Sequence, residues 1–286
     1  MKDKLFDYVE KDNWVFNMSG VTKLICFLLL SASVMFTYDI RSILVVMILS
    51  FTVLRVSGIT FRQIRGMLWA VILFLAVNFV LTFVFDPTYG VEVYGTRHEL
   101  FRFSDRYELF RFSDRYVVTL EQGLYQITKF FKYGAVIPLG MLFLLTTNPS
   151  EFAASLNGIK VSYKASYALA LTLRYFPDTI RNYGDISIAQ QSRGLDLSKK
   201  EKLGVRIKNV MNICVPLIFS TMDRIDVISN AMDLRAFGKH KKRTWYAKKP
   251  MAKVDYICIG VCCAILAAVI FIATFVNHGR FWNPFI

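Results

Sequence analysis

The stretch YICIGVCCAILAAVIFIATFVN, Tyr256–Asn277, runs 22 residues without a charge. A helix rising about 1.5 Å per residue crosses a hydrocarbon layer of ~30 Å in about 20 residues, so this stretch is long enough to span a bilayer. Met67–Phe85 offers 19 more uncharged residues, and Tyr133–Ser150 is also uncharged. Lys129 and Lys132 precede the latter, placed to snorkel toward an interface. Leu24–Tyr38 and Ser42–Leu54 are shorter, at 15 and 13 residues, with Asp39 and Arg41 between them. That pattern predicts a tight helical hairpin with a polar turn; a single broken or re-entrant segment is the alternative. The expected fold class is all-α: a polytopic membrane protein with about five transmembrane helices.

Composition agrees. Hydrophobic residues make up 55% of the 286, charged residues only 20%, and mean hydropathy is +0.40. So few charges must be segregated between apolar spans and wet segments. The net charge of +14 would suggest nucleic acid in a soluble protein; beside apolar spans it reads first as orientation. Residues 55–66 carry Arg55, Arg62 and Arg65 and no acid, which predicts a cytoplasmic loop. The loop 86–124 holds five Arg and seven acids and suits the outside. Residues 148–253 hold 19 Lys/Arg against eight Asp/Glu. The expected organisation is an N-terminal transmembrane region over 1–147, a basic cytoplasmic segment over 148–253 and a final span over 254–286. Both N-terminus and basic segment then lie inside, the C-terminus outside. No small-residue cleavage site follows the first apolar run, so the first span is expected to be retained.

Several chemistries find no pattern. Cys26, Cys214, Cys258, Cys262 and Cys263 include no CxxC pair, and His98, His240 and His278 are far apart, so neither a metal site nor a disulfide framework is expected. No GxxxxGK[ST] run is present, so ATP binding by this chain is not expected. No cofactor is implied. ELFRFSDRY occurs twice in tandem, at Glu99–Tyr107 and Glu108–Tyr116, which reads as local duplication in a permissive loop. Asp223, Asp226 and Asp233 admit a lipid-headgroup enzyme using a metal, but read more simply as a solvated helix face. Lys239–Lys253, with seven Lys/Arg and no acid, reads as an anchor at anionic headgroups rather than a nucleic-acid site.

The basic segment is patterned. Thr147–Glu151 offers helix-start chemistry. Pro177 followed by Asp178 predicts a helix start, running to about Ser192 and ended by Gly194. A second helix is expected over Val205–Leu234, with Met211, Val215, Ile218, Met222, Ile225, Ile228 and Met232 as one apolar stripe and Pro216 as a kink. The ends of these helices match. Ile186-Ser-Ile-Ala-Gln-Gln-Ser-Arg193-Gly194 and Ile228-Ser-Asn-Ala-Met-Asp-Leu-Arg235-Ala236 share Ile, Ser, Ala and Arg at equal offsets, and Lys199-Lys200 and Lys241-Lys242 follow at equal distances. Two helix C-caps with basic flanks is the plain reading. The functional one is a pair of plugs: Arg carries a five-donor fork that suits a carboxylate, and a small neighbour lets another surface approach the backbone.

Leu173-Arg174-Tyr175-Phe176-Pro177, Ala189-Gln190-Gln191-Ser192-Arg193-Gly194 and Ala231-Met232-Asp233-Leu234-Arg235-Ala236-Phe237-Gly238 together resemble the transmembrane T component of energy-coupling-factor (ECF) transporters. That family carries two Ala-Arg-Gly signatures, read here as Ser192-Arg193-Gly194 and Leu234-Arg235-Ala236. Only the first keeps Gly directly after Arg; Gly238 follows two residues later in the second. The resemblance implies that long amphipathic coupling helices dock these arginines into two cytoplasmic ABC ATPases. It also implies a membrane S component that binds a vitamin or metal ion, and a cell-membrane location. Pro177, Ala189, Ala231 and Gly238 would support the motifs. The chain itself would not be an enzyme. A stand-alone channel or secondary carrier is the competing reading, for which ionisable residues inside spans would be expected.

Overall fold

The computed structural model describes residues 13–59, 61–86, 89–94, 99–102, 117–195, 203–240, 244–277, 279 and 282. The second ELFRFSDRY copy and the Lys199-Lys200 and Lys241-Lys242 pairs lie outside these residues. Among the described residues the regular structure is helical apart from one short ribbon, in which β1 (Glu99–Arg102) pairs antiparallel with β2 (Val117–Thr119). Two compact units are present: the described residues up to Asn148 together with those from Lys249 onward, and Pro149–Lys248.

The first unit contains α1 (Trp14–Asn17), α2 (Gly20–Phe36), α3 (Ile40–Val56), α4 (Phe61–Phe85), α5 (Tyr89–Tyr94), α6 (Leu120–Thr146) and α10 (Lys253–Phe271), the last continued by a π-helical turn, Ile272–Val276. Among the described residues two helices are long and apolar enough to cross a membrane, Leu120–Thr146 and Lys253–Val276, while Gly20–Phe36 and Leu68–Thr82 are shorter apolar helices. α3 packs most extensively on α6, and α2 on α10. Leu30, Val34, Ile43, Val46, Ala135, Leu139 and Cys262 meet in one buried cluster, from α2, α3, α6 and α10. Trp69, Leu73 and Phe85 of α4 are each at least 65% exposed. A contiguous apolar surface of this kind suits lipid rather than water.

Charged groups hold the helix ends. The Asp39 carboxylate accepts from the Arg41 backbone N–H and caps α3. It is also paired with the Arg41 guanidinium at 3.0 Å and accepts from Asn277 Nδ2. Burial opposes charge on this carboxyl, but the bonds from Arg41 and Asn277 outweigh it and hold its pKa below the usual value. A carboxyl depressed in the folded state contributes stability above its unfolded pKa of about 3.9 and loses it as pH falls through the folded value. Thermal stability should therefore fall more steeply on acidification below about pH 4 in the wild type than in Asp39→Asn; equal slopes in fluorimetric melts would remove this role.

Lys132 departs from the snorkelling expectation. It is 4% exposed, and its ammonium donates to the carbonyls of Met35 and Thr37, at 2.9 and 3.3 Å, while lying 3.5 Å from the Tyr38 ring centroid. Lys129 also turns inward and donates to Thr82 Oγ1. The terminal carbonyls of a helix lack intrahelical partners and carry partial negative charge, so a cation is better placed on them than stretched toward solvent. Lys23 does the same, donating to Phe16 O and Thr146 O at 3.1 and 2.9 Å. Asp255, 1% exposed, accepts from the backbone N–H groups of Ser19 and Ala252.

The second unit is built from α7 (Pro149–Gly158), α8 (Tyr163–Ser192) and α9 (Leu203–Leu234). α7 begins where the Thr147–Glu151 chemistry predicts. α8 does not begin at Pro177. Ser162 caps it, accepting from Ala165 N–H, and Pro177 lies within the helix. A proline inside a helix removes one backbone donor, and the intact turns on either side carry the helix through. α9 likewise passes through Pro216 as one helix.

Candidate functional site: two arginine-capped helix ends

α8 and α9 run antiparallel. Arg224 of α9 pairs with Asp178 of α8 at 3.9 Å and lies 6.0 Å from the Tyr175 ring centroid. Phe237, just beyond α9, packs on Tyr167 and Tyr163 at the start of α8, with centroids 4.6 and 5.8 Å apart. The two arginine motifs therefore sit at opposite ends of the pair. From the level of Tyr167 to Arg193 is roughly 39 Å along α8 at about 1.5 Å per residue. Arg193 and Arg235 are not brought together; they are held apart.

The two ends have the same backbone. Ser192 is the last residue of α8 and Arg193 its C-cap. Gly194 N–H donates to Gln191 O at 2.9 Å and Leu195 N–H to Gln190 O at 3.2 Å. At α9, Leu234 is last and Arg235 follows. Ala236 N–H donates to Asp233 O at 2.9 Å and Phe237 N–H to Met232 O at 3.0 Å. Both are Schellman motifs, in which the residue after the cap turns left-handed and the next returns its N–H to the helix. Gly194 has φ +89° and Ala236 φ +53°. This backbone requirement explains the small residue after each Arg. Glycine meets it freely; alanine meets it at a cost of about 1–2 kcal/mol. Ala236→Gly should stabilise the chain by about 1 kcal/mol, and Gly194→Ala should destabilise it by a similar amount. A Cβ on Gly194 would meet nothing within 4 Å, so the whole effect there is backbone strain. Melting temperatures of the purified variants check the opposite signs.

Among the described residues, the second end has an aromatic brace and the first has none of that kind. Phe237, Tyr163, Tyr167 and Trp245 form an aromatic cluster, with Trp245 5.5 Å from Tyr163 and 6.4 Å from Tyr167. Trp245 Nε1 donates to Asn157 Oδ1 at 3.1 Å, which ties the cluster to α7. Sequence reading missed these residues. The signal was available: an apolar residue two places after the cap is the usual companion of a Schellman turn, and Phe237 and Leu195 occupy that place.

Arg193, Arg235, Ser192, Ala236, Ala189 and Ala231 are exposed, and Leu234 is 90% exposed. A cation at a helix C-terminus is favoured by the terminal carbonyls. Gly238 makes a further left-handed turn, φ +87°. Pro177 lies one residue from Asp178, the partner of Arg224. On α9, Ile213 is fully buried while Met211, Val215, Ile218, Met222 and Ile225 of the apolar stripe are 45–59% exposed. Arg224 pairs across to α8 rather than with the aspartates of its own helix. Among the described residues no three His, Cys, Asp or Glu side chains are grouped to hold a metal ion.

A family model described as a cobalt transport protein, CbiQ, matches residues 11–246, most of the chain. The chain belongs to this CbiQ family. Several relatives of the CbiQ-family chain carry ECF names. A Streptococcus equi protein named energy-coupling factor transporter transmembrane protein EcfT is 23% identical over 247 residues, 80% of this chain and 91% of its own length. An EcfT from Lactococcus lactis is 26% identical over 154 residues, 49% of this chain and 58% of its own. A Bifidobacterium longum protein named a putative ABC transporter ATP-binding protein is 28% identical over 147 residues, 49% of this chain and 19% of its own. The resemblance to the ECF T component is thus borne out, and the CbiQ-family chain is a membrane component of a transporter.

Proposed function

We propose that this chain is the coupling subunit of an ECF-type ABC importer, with α8 and α9 as its coupling helices. In this reading Arg193 and Arg235 are the contact points for two cytoplasmic ATPases, one at each end of the α8–α9 pair. The observation that carries the reading is that two helix ends present an Arg on the same Schellman backbone, far apart. Equal presentations at separate places suit two partners of one kind. Each guanidinium fork would meet a carboxylate in a partner groove, with Ser192, Gly194, Leu234 and Ala236 forming the surface around it. Closure of the ATPases would then move α8 and α9 and reorient a membrane S component that carries a vitamin or metal ion. The Bifidobacterium relative adds support, since a stretch similar to this chain occurs in a protein named as ATP-binding. Five spans, with the N-terminus inside, complete the proposal, α2, α3 and α4 crossing beside α6 and α10.

The test is affinity purification of the tagged chain from membranes of cells expressing its operon. Two ATPase chains per copy should co-purify. Isolation of the chain without ATPase, together with substrate flux through the purified chain alone in proteoliposomes, would establish the stand-alone carrier instead.

A further inference from the structure

We infer that the first unit holds a site for one acyl chain of an anionic lipid. A partly open cavity of about 230 Å³ lies among its helices. Val15 of α1, Leu30 of α2, Val53 of α3, Phe143 of α6 and Val261 of α10 all face it, and among the described residues Lys23 is the one charged residue on its wall. An apolar cavity of about 150 Å³ already accepts benzene, so this one has room for a longer stretch of hydrocarbon. Among helices with large exposed apolar surfaces, the hydrocarbon at hand is a lipid tail.

The head is indicated by charge and by tryptophan. Lys23 and Lys249 both donate to the Phe16 carbonyl, at 3.1 and 2.9 Å, which brings a second ammonium group beside Lys23 of the cavity wall. Lys249 is partly exposed. Trp14, on the cavity wall, is 46% exposed, as a ring at a headgroup boundary is. Apolar walls with a cationic end match an anionic amphiphile and discriminate against a zwitterionic one. The site is independent of the arginine motifs, so it stands or falls apart from the coupling role.

Native mass spectrometry of the full chain, delipidated in detergent and titrated with dioleoylphosphatidylglycerol or dioleoylphosphatidylcholine, tests this. One phosphatidylglycerol should be retained per chain, with about fivefold preference over phosphatidylcholine, the effect of about one cationic side chain at an anionic headgroup. Val261→Phe should lose the retained lipid of either type. Lys249→Gln should keep a lipid but lose the preference, which provides a readout should Val261→Phe fail to fold. Equal retention of the two lipids by the wild type, or undiminished retention by a folded Val261→Phe, would overturn the inference in favour of annular lipid. Retention of a peptide in place of lipid would overturn it in favour of a protein occupant.

Discussion

Changing Arg193 and Arg235 together to Ala should abolish ATP-driven uptake while leaving the chain in the membrane. The expectation follows from what each change removes. Both side chains are exposed beyond the last helical turn, so truncation leaves no cavity. Each guanidinium, if docked on a carboxylate, supplies charged hydrogen bonds of about 1.5–3 kcal/mol, or roughly 10- to 150-fold in affinity. Loss of both contacts therefore exceeds what a moderately tight complex can absorb. Single changes should weaken ATPase co-purification without eliminating it. Arg→Lys should recover little, because a point charge does not reproduce the two-pronged fork. Uptake by vesicles and co-purification from the same membranes are the two measurements. Normal values of both in the double variant would remove these residues from coupling.

The largest effect on the first unit should come from Asp255→Ala. The carboxylate lies at the start of α10, 1% exposed, and accepts from Ser19 N–H at 3.2 Å and Ala252 N–H at 2.7 Å. One bond starts α10; the other ties it to the start of α2, more than two hundred residues away in the chain. Removing the acceptor leaves two backbone donors short of partners, at a cost of about 3 kcal/mol or more. For a unit of this size that corresponds to a loss of roughly 6–12 °C in melting temperature. Asp255→Asn should recover part of the loss, since its carbonyl can serve one donor but its amide opposes the other. A shift below about 2 °C for Asp255→Ala would show that water or another group replaces the carboxylate.

Long apolar and amphipathic helices were legible because their signal is repeated along the element. α9, observed from Leu203 to Leu234, was expected from Val205 to the same end, and α10 coincides with the uncharged run around Cys262. The start of α8 was misread because Pro177 carries a strong local preference for a first turn, whereas the cap at Ser162 is a weak signal fifteen residues earlier in a mixed stretch. The inward lysines were illegible for a different reason. What satisfies Lys23 and Lys132 is a carbonyl at the end of another helix, and hydropathy carries no record of that partner. At the arginine motifs, Gly194 announces its turn and Ala236 hides the same turn, because alanine rarely takes that backbone. The aromatic brace behind Phe237 depends on residues some 70 to 80 positions away in the chain, which a local reading does not connect.

The brace also has an optical consequence. The chain has four tryptophans, and Trp245 is the one within Pro149–Lys248. Its indole packs on Tyr163 and Tyr167, the two rings on which Phe237 rests after the Arg235 turn. Its emission wavelength and its quenching by neighbouring tyrosines are thus set by the packing of that turn. With Trp14, Trp69 and Trp282 replaced by Phe, the protein would carry its own lamp beside the second arginine, able to follow in real time any strain placed on that helix end.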